Sequence, residues 1–181
     1  MKRFLPLLLF FGTFLPSITP AMLMRPLAVS ELAGKADLIV EGRVLGKVSL
    51  RDDASRIYTK VQIQVSEVWK GSPPASSTSN LLTIVQGGGT VGDVREEVSG
   101  QVQYDLGEEV VAFLVINPRG EPVTIGLAQG KFHVWRDRQT GGKFANNFFH
   151  GEPEPDGGAA SPLRHPLSLN EFKQQVQHHT P

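Results

Sequence analysis

The sequence predicts a mainly β fold, in which a small antiparallel barrel of about five to seven strands is flanked by a short N-terminal helix and a C-terminal helix. Three observations support this prediction. Residues 110–116 form an unbroken apolar run that fits a strand covered on both faces. Residues 37–50 and 57–65 instead alternate between apolar and polar side chains, as strands with one solvated face do. Capping residues near position 168 indicate the final helix.

Residues 1–21 have the pattern of a cleavable secretory signal. Lys2 and Arg3 precede an apolar stretch at residues 4–15, and Ala21 ends a run of small residues that suits a signal peptidase. The stretch is too short and too interrupted to make a transmembrane helix. We therefore expect cleavage after Ala21, export to the periplasm or the medium, and no stable membrane insertion afterwards. The alternative is an uncleaved N-terminal anchor.

The net charge and the cysteine content exclude several classes of function. The chain has 181 residues, with 18 Lys and Arg against 18 Asp and Glu, and no Cys. A nearly neutral chain has no electrostatic preference for nucleic acid. The absence of Cys excludes disulfides, thiol nucleophiles and cysteine-based metal sites. We expect a hydrophobic core alone to stabilise the fold, and we expect no cofactor.

The chain divides into a leader, one β domain, a linker and a final helix. We expect residues 22–36 to hold a short helix with Ser30 as its N-cap. Residues 37–149 would form the β-barrel domain. Residues 150–166 are rich in proline, glycine and acidic side chains, a composition typical of a linker. Residues 167–181 follow as the C-terminal helix and tail.

The strands of the β domain carry signs of bending. Gly42 lies on the apolar face of the first strand, where a missing side chain lets another backbone approach. The alternation of the second strand slips by one residue near Ser66, which predicts a bulge there. A later hairpin has its turn within residues 136–142, whereas residues 90–100 show no strand pattern. We expect residues 87–89, which are all glycine, to form a flexible connection.

The C-terminal helix has a clear start. Ser168 and Glu171 have the spacing of a capping box, in which two side chains satisfy free backbone N–H groups of the first turn. An apolar stripe follows, and it predicts that one face of a helix of about three turns docks on the β domain. The stripe consists of Leu169, Phe172 and Val176.

Several segments of the β domain resemble those of a known group of proteins. The segments are ADLIVEGRV at 36–44, YT at 58–59, VSEVWKG at 65–71, GG at 87–88, LGEE at 106–109 with FL at 113–114, and GLAQGKF at 126–132. They are similar to uncharacterised exported bacterial β-proteins, whose domain resembles the OB-type barrel of netrin modules and of tissue inhibitors of metalloproteinases. The resemblance covers roughly residues 30–137 and, more loosely, the final helix, and it implies an OB-like barrel but no known activity. Tissue inhibitors chelate zinc through an N-terminal cysteine, which this chain lacks, so that inhibitory chemistry does not carry over.

No arrangement of residues predicts catalysis. The sequence has no Gly-x-Ser-x-Gly motif, and its adjacent acidic pairs would point to opposite faces of a strand. In the linker, His150, Glu152, Glu154 and Asp156 alternate and offer ligands for calcium or a transition metal, but their spacing matches no known metal loop. A solvated linker is the simpler interpretation. We therefore expect no catalytic and no metal-binding residue.

Exposed aromatic and basic side chains are the better indication of a site. The favoured binding surface consists of Tyr58, Lys60, Trp69 and Lys70. We expect Trp69 to be its anchor, because a bulge beside it would turn the indole outward. Lys131, His133 and Trp135 alternate on a later strand and could extend the same patch. The alternative is a set of scattered aromatic residues that the final helix partly covers.

These observations favour an exported, non-catalytic binding or interaction module, whose partner is another exported protein or a glycan. One alternative is an accessory or inhibitor-like partner of a secreted hydrolase, which rests on analogy of fold alone. A second alternative is a hydrolase whose site has no recognisable motif.

Overall fold

The protein is mainly β over residues 25–75, 77, 80–150 and 167–178, which its computed structural model describes. These residues form one large antiparallel sheet, a separate two-stranded hairpin and two α-helices. The helices are α1 (Val29–Lys35) and α2 (Leu169–His178). The strands are β1 (Leu38–Arg51), β2 (Ile57–Lys70), β3 (Leu81–Gly87), β4 (Gly89–Val91), β5 (Val94–Glu96), β6 (Glu109–Ile116), β7 (Pro122–Thr124), β8 (Lys131–Arg136), β9 (Lys143–Asn146) and β10 (Leu167–Ser168). A short 3-10 helix, Leu127–Gly130, precedes β8.

The large sheet is built around β6. Its strand order is β10-β9-β8-β6-β1-β2-β3. One edge of β6 pairs with β1, and the other pairs with β8 along its first half and with β7 along its second half. Residues 110–114 are 0% exposed, because strands cover both edges and packed layers cover both faces. The predicted central strand is confirmed.

The sheet is not closed. Strand β3 lies against β7, but the two do not form a ladder. A strand as short as β7, which begins with Pro122, offers few backbone N–H groups to a neighbour. The predicted mainly β class with two helices is therefore confirmed, whereas the structure does not show the predicted barrel.

Each face of the sheet carries its own apolar cluster. The cluster on the face that α1 and α2 cover, here called the helical face, includes Ile39, Phe113, Phe132 and Phe172. The cluster on the opposite face includes Val40, Val61, Ile84, Tyr104 and Ala112. Successive residues such as Ile39 and Val40 belong to different clusters, as the two-residue period of a strand requires.

The structure confirms the predicted bulge in β2. Val65 and Glu67 each have a partner on β1, whereas Ser66 between them has none. Gly42 lies at this bulge, and a Cβ atom added to it would be 2.5 Å from the backbone oxygen of Gln64. Only glycine lets the two backbones approach this closely.

The two helices differ in how well the sequence predicted their starts. The N-cap of α1 is Ala28, so the prediction of Ser30 as N-cap is wrong. Glu31 decides the start, because its Oε2 accepts the backbone N–H of Ala28 at 2.9 Å. For α2, the Oγ of Ser168 accepts the N–H of Glu171 at 3.3 Å, which confirms the predicted cap. The predicted stripe is buried, and it consists of Leu169, Phe172 and Val176.

Some sequence predictions fall outside the described residues. They concern the signal at residues 1–21, the linker at residues 151–166 with Glu152, Glu154 and Asp156, and the tail at residues 179–181. His150, the first residue of the predicted linker, is described and is only 2% exposed.

Candidate functional site

Trp69, the predicted anchor, lies in the core. It is 6% exposed, and its ring meets the ring of Phe172 in α2 with centroids 5.5 Å apart. Val68 and Lys70 have partners on β1 but Trp69 has none, so β2 has a second bulge at Trp69 itself. This bulge directs the indole to the helical face. The prediction that a bulge turns Trp69 outward is therefore wrong.

The other three residues of the predicted surface are divided between the two ends of β2. The Nζ of Lys70 donates to the backbone oxygen of Ala33 in α1 at 2.7 Å. Tyr58 and Lys60 lie at the opposite end, where they pair with the last residues of β1 and are half-buried. The structure thus does not bring the four residues into one surface. A binding role for Tyr58 and Lys60 stays a prediction.

A second set of side chains, on β8 and β9, does form one surface. His133 and Asn146 are direct partners across these strands, and so are Trp135 and Phe144. The predicted alternation of Lys131, His133 and Trp135 on one strand is confirmed. We refer to this surface as the His133 face, and it consists of Lys131, His133, Trp135, Phe144, Asn146 and Phe148.

Aromatic rings lie at two places on the His133 face, at the Trp135–Phe144 pair and at Phe148 beside the cavity. The rings of Trp135 and Phe144 are stacked, with centroids 5.1 Å apart and an angle of 25° between their planes. Both residues are half-buried, and Phe148 is 76% exposed. An exposed ring of this size leaves apolar surface in water, which a ligand could cover favourably.

The carboxylate of Glu108 contacts both Lys131 and His133 of the His133 face. Its side chain is 9% exposed and lies just before β6. The carboxylate accepts hydrogen bonds from the Nζ of Lys131 at 2.6 Å and from the backbone N–H of Asp105 at 3.0 Å. It also lies 3.1 Å from the Nδ1 of His133. The Nζ of Lys131 donates in addition to the backbone oxygen of Gln103 at 2.6 Å.

The carboxylate of Glu108 fixes the tautomer of His133. The Nδ1 atom faces an acceptor, so it carries the proton in the neutral ring, and the lone pair of Nε2 is left as an acceptor. The side chain of His133 is 50% exposed. Because Lys131 and Glu108 neutralise each other, the face presents hydrogen-bonding groups more than net charge.

A shallow cavity of about 340 Å³ adjoins these groups, and its lining includes Gln103, Lys131, His133, Asn146 and Phe148. The Oδ1 of Asn146 is shielded from solvent and has no hydrogen-bond partner among the described residues. An unpaired buried acceptor costs about 1–3 kcal/mol. A rotation of the amide that turns Oδ1 toward the cavity would let a hydrogen-bond donor of a ligand remove that cost.

The lining of this cavity offers hydrogen-bonding groups to a ligand. Among the described residues that line this cavity, none carries a hydroxyl, a thiol or a carboxylate. The carboxylate that contacts His133 is that of Glu108, which lies outside this lining. The part of the chain that the structure describes also contains no group of three or more side chains placed to hold a metal ion.

The sequence predicts only the β8 part of the His133 face as a possible binding surface. Glu108 comes from the loop before β6, and Asn146 comes from β9. The alternation of Phe144, Asn146 and Phe148 along the return strand was the available signal. It resembles the pattern of any half-buried strand, so it does not indicate a site by itself.

Comparisons with known proteins do not identify the chain, since no protein-family model and no curated protein match it. Within the described ranges, no helix has the length and apolar character needed to cross a membrane. The similarity to exported β-proteins with an OB-type barrel stays an expectation from the sequence.

Proposed function

We propose that this chain is an exported, non-catalytic binding module and that its His133 face binds a neutral glycan. Export is supported by the signal pattern of Lys2, Arg3, residues 4–15 and Ala21. The observation that carries the binding proposal is the unpaired Oδ1 of Asn146 beside an open cavity.

Asn146 and His133 together offer two acceptors to a ligand. Buried polar atoms in folded proteins nearly always have a partner, so an unpaired Oδ1 needs an explanation. His133 lies directly across the ladder from Asn146 and has its Nε2 free to accept. Two neighbouring hydroxyl groups of a sugar ring can donate to both atoms at once.

The aromatic side chains of the His133 face suit the apolar surface of a sugar ring. A sugar ring has hydroxyl groups at its rim and an apolar C–H surface on its face. The stacked rings of Trp135 and Phe144, and the exposed ring of Phe148, provide apolar area next to the polar acceptors. A ligand with both kinds of surface is therefore the best match.

The ion pair on the His133 face favours a neutral ligand. The number of carboxyl groups near the face argues against glycoside hydrolysis. Lys131 is already paired with Glu108, so no cation of the face is left to select an anion. Glycoside hydrolysis generally requires two carboxyl groups on either side of the scissile bond. Among the described residues, the carboxyl group in contact with the His133 face is that of Glu108, and that side chain is buried and engaged by Lys131 and His133.

The test is a titration of the mature protein with a panel of neutral tetrasaccharides: cellotetraose, maltotetraose, mannotetraose, xylotetraose and chitotetraose. We expect saturable binding of at least one of them by calorimetry, with amide shifts on β8 and β9 in NMR spectra. Asn146→Leu should weaken this binding about tenfold, since one buried acceptor is lost. Asn170→Leu is the matched control, because Asn170 is exposed on α2 and should leave the affinity unchanged.

Three results would contradict the proposal. If no tetrasaccharide binds, the face does not recognise neutral glycans, and a protein partner becomes the better interpretation. Binding that Asn146→Leu leaves intact would place the site elsewhere. Shortened sugars detected by mass spectrometry after incubation would show that the module is catalytic.

A further inference from the structure

A larger cavity, of about 720 Å³, lies at the far ends of β1, β2 and β3. We call it the mouth cavity. Strand ends form its floor, and the β4–β5 hairpin with residues 97–101 forms a wall. The sequence shows no strand pattern here, because two strands of three residues each are too short for an alternation to be visible.

A row of polar side chains forms the floor of the mouth cavity. Ser49, Thr59 and Gln86 are partners in register across the three strands. The row directly beneath them includes Val61 and Ile84, which belong to the apolar cluster of this face. The floor is therefore a polar layer built on an apolar core.

Hydrogen bonds satisfy two of the three floor residues. The Oγ1 of Thr59 donates to the backbone oxygen of Gly88 at 2.7 Å, so it accepts from the Oγ of Ser49 at 2.9 Å. The Oγ of Ser49 accepts in turn from the backbone N–H of Thr90 at 3.3 Å. The Oε1 of Gln86 takes no part, and it is a shielded oxygen without a partner among the described residues.

The wall beside the floor is closely packed. A Cβ atom on Gly89 would be 2.3 Å from the Oγ of Ser49, and Gly88 has a φ of +76° that other residues rarely adopt. The glycine connection that the sequence predicts to be flexible therefore lies against the floor at contact distance. Its packing gives the mouth cavity a defined shape.

Gln103 connects the mouth cavity to the His133 face. It lines the mouth cavity and also the smaller cavity beside His133 and Asn146. Its backbone oxygen is held by the Nζ of Lys131 at 2.6 Å, so the junction is tied to the His133 face. The lining of each cavity thus includes one residue with an unpaired amide oxygen, Gln86 in the mouth cavity and Asn146 in the other, and Gln103 lines both.

We infer that the glycan is a linear chain that continues from the His133 face across Gln103 into the mouth cavity, where a hydroxyl group donates to the Oε1 of Gln86. This inference rests on the proposed function. Two adjoining cavities, each with an unpaired acceptor, match a ligand that repeats its hydroxyl groups along its length.

Most of the charged groups in the mouth cavity are paired, which agrees with an uncharged chain. Arg95 pairs with Glu97 at 2.5 Å, and Glu96 accepts the backbone N–H of Ile57 at 2.8 Å. These three ionic groups are already engaged with the protein, whereas Lys47, which also lines the cavity, is exposed and has no ion-pair partner among the described residues. Hydroxyl and amide groups make up much of the remaining lining, and they bind sugar hydroxyls without selecting a charge.

The experiment compares each tetrasaccharide of the panel with its own disaccharide on the same protein. We expect the tetrasaccharide that binds to do so about tenfold more tightly than its disaccharide, since it reaches one more buried acceptor. Gln86→Leu should remove this advantage and leave disaccharide binding unchanged. The matched control is Gln64→Leu, an exposed position on β2 away from both cavities.

A melting curve of Gln86→Leu shows whether the variant is folded. We expect the melting temperature of the wild type, because replacing an unpaired buried amide by an apolar group should not lower stability. Gln103→Ala provides a second, exposed variant that should also reduce the length advantage. Equal affinities for disaccharide and tetrasaccharide, unchanged by Gln86→Leu, would show that the glycan does not extend into the mouth cavity. The proposal that the His133 face binds a glycan would not be affected. If neither sugar binds, the proposed function fails and the inference fails with it.

Discussion

The indole of Trp69 and the ring of Phe172 meet edge to face, with centroids 5.5 Å apart and an angle of 82° between their planes. Phe172 also contacts the rings of Phe113 and Phe132, at 5.8 Å and 4.5 Å between centroids. The bulge at Trp69 therefore places its indole in an aromatic cluster that holds α2 on the sheet. An edge-to-face pair is a favoured geometry for aromatic rings.

Trp69→Ala should lower the free energy of unfolding by about 3–5 kcal/mol, because it leaves a cavity under α2. Urea denaturation measures this loss. The matched variant is Trp135→Ala, which removes a half-buried indole from the His133 face and should reduce glycan affinity more than stability. Full stability of Trp69→Ala together with lost binding would place Trp69 in a site and contradict the structure.

Phe113→Ala should also cost about 3–5 kcal/mol of unfolding free energy. Phe113 is 0% exposed and lies 5.6 Å from Phe132 between ring centroids. Phe148→Ala serves as the control, because its ring is 76% exposed and its removal should leave stability nearly unchanged. Equal melting temperatures for the two variants would show that β6 is not the centre of the core.

Lys143→Met should lower stability at neutral pH. The Nζ of Lys143 hydrogen-bonds to Glu109 and lies 3.4 Å from Glu41, whose side chain is 11% exposed. The hydrogen bond to Glu109 raises the pKa of Lys143 above its ordinary value. Without the amine, the two carboxylates lose a shared cation, and we expect a loss of about 1–3 kcal/mol in urea denaturation.

Two comparisons check this prediction. Lys173→Met removes the partner of the more exposed Glu67 and should cost no more than about 1 kcal/mol. The raised pKa of Lys143 contributes stability below the unfolded lysine pKa of about 10.4, so the loss in Lys143→Met should shrink as the pH rises through the folded value. A loss that is independent of pH would mean that packing of the lysine stem, not its charge, is responsible.

Stability should fall as the pH drops below the ordinary range of histidine, and His150 should cause part of this fall. Burial lowers the pKa of His150, which is 2% exposed and rests on the ring of Phe132. The unfolded chain therefore binds a proton at a higher pH than the folded protein does. The stabilisation is fully present above the unfolded pKa of about 6.5 and is lost below it, at no more than about 1.4 kcal/mol per pH unit.

Urea denaturation at pH values from about 7.5 to 5 follows this effect through the unfolded histidine pKa. His150→Leu should give a flatter profile than the wild type, whatever its absolute stability. His178→Gln is the control, because His178 is exposed at the end of α2 and should keep the wild-type slope. An unchanged slope in His150→Leu would show that His150 does not titrate on unfolding.

The exported protein should begin at Met22, since the signal pattern places cleavage after Ala21. N-terminal sequencing of protein from the periplasm or the medium measures this directly. Ala21→Arg should block processing, because a signal peptidase needs a small residue at that position. Recovery of an intact Met1 in the membrane fraction would favour the uncleaved anchor.

The sequence by itself determined the features that depend on neighbours along the chain. An apolar run at residues 110–116 predicted a buried strand, because a strand covered on both faces needs an apolar side chain at every position. The phase slip predicted the bulge at Ser66, and the spacing of Ser168 and Glu171 predicted the start of α2. In each case the determining interactions lie within a few residues of one another.

Only the tertiary structure decided which way Trp69 points and which residues share a surface. A bulge can turn a side chain to either side, and the choice follows from the free energy of burying the indole against Phe172, a residue on the last helix. The His133 face likewise takes Glu108, His133 and Asn146 from three segments that meet through strand pairing. Alternation reports which residues share one side of a strand, but it carries no information about which strands become neighbours, because pairing is set by packing of the whole sheet.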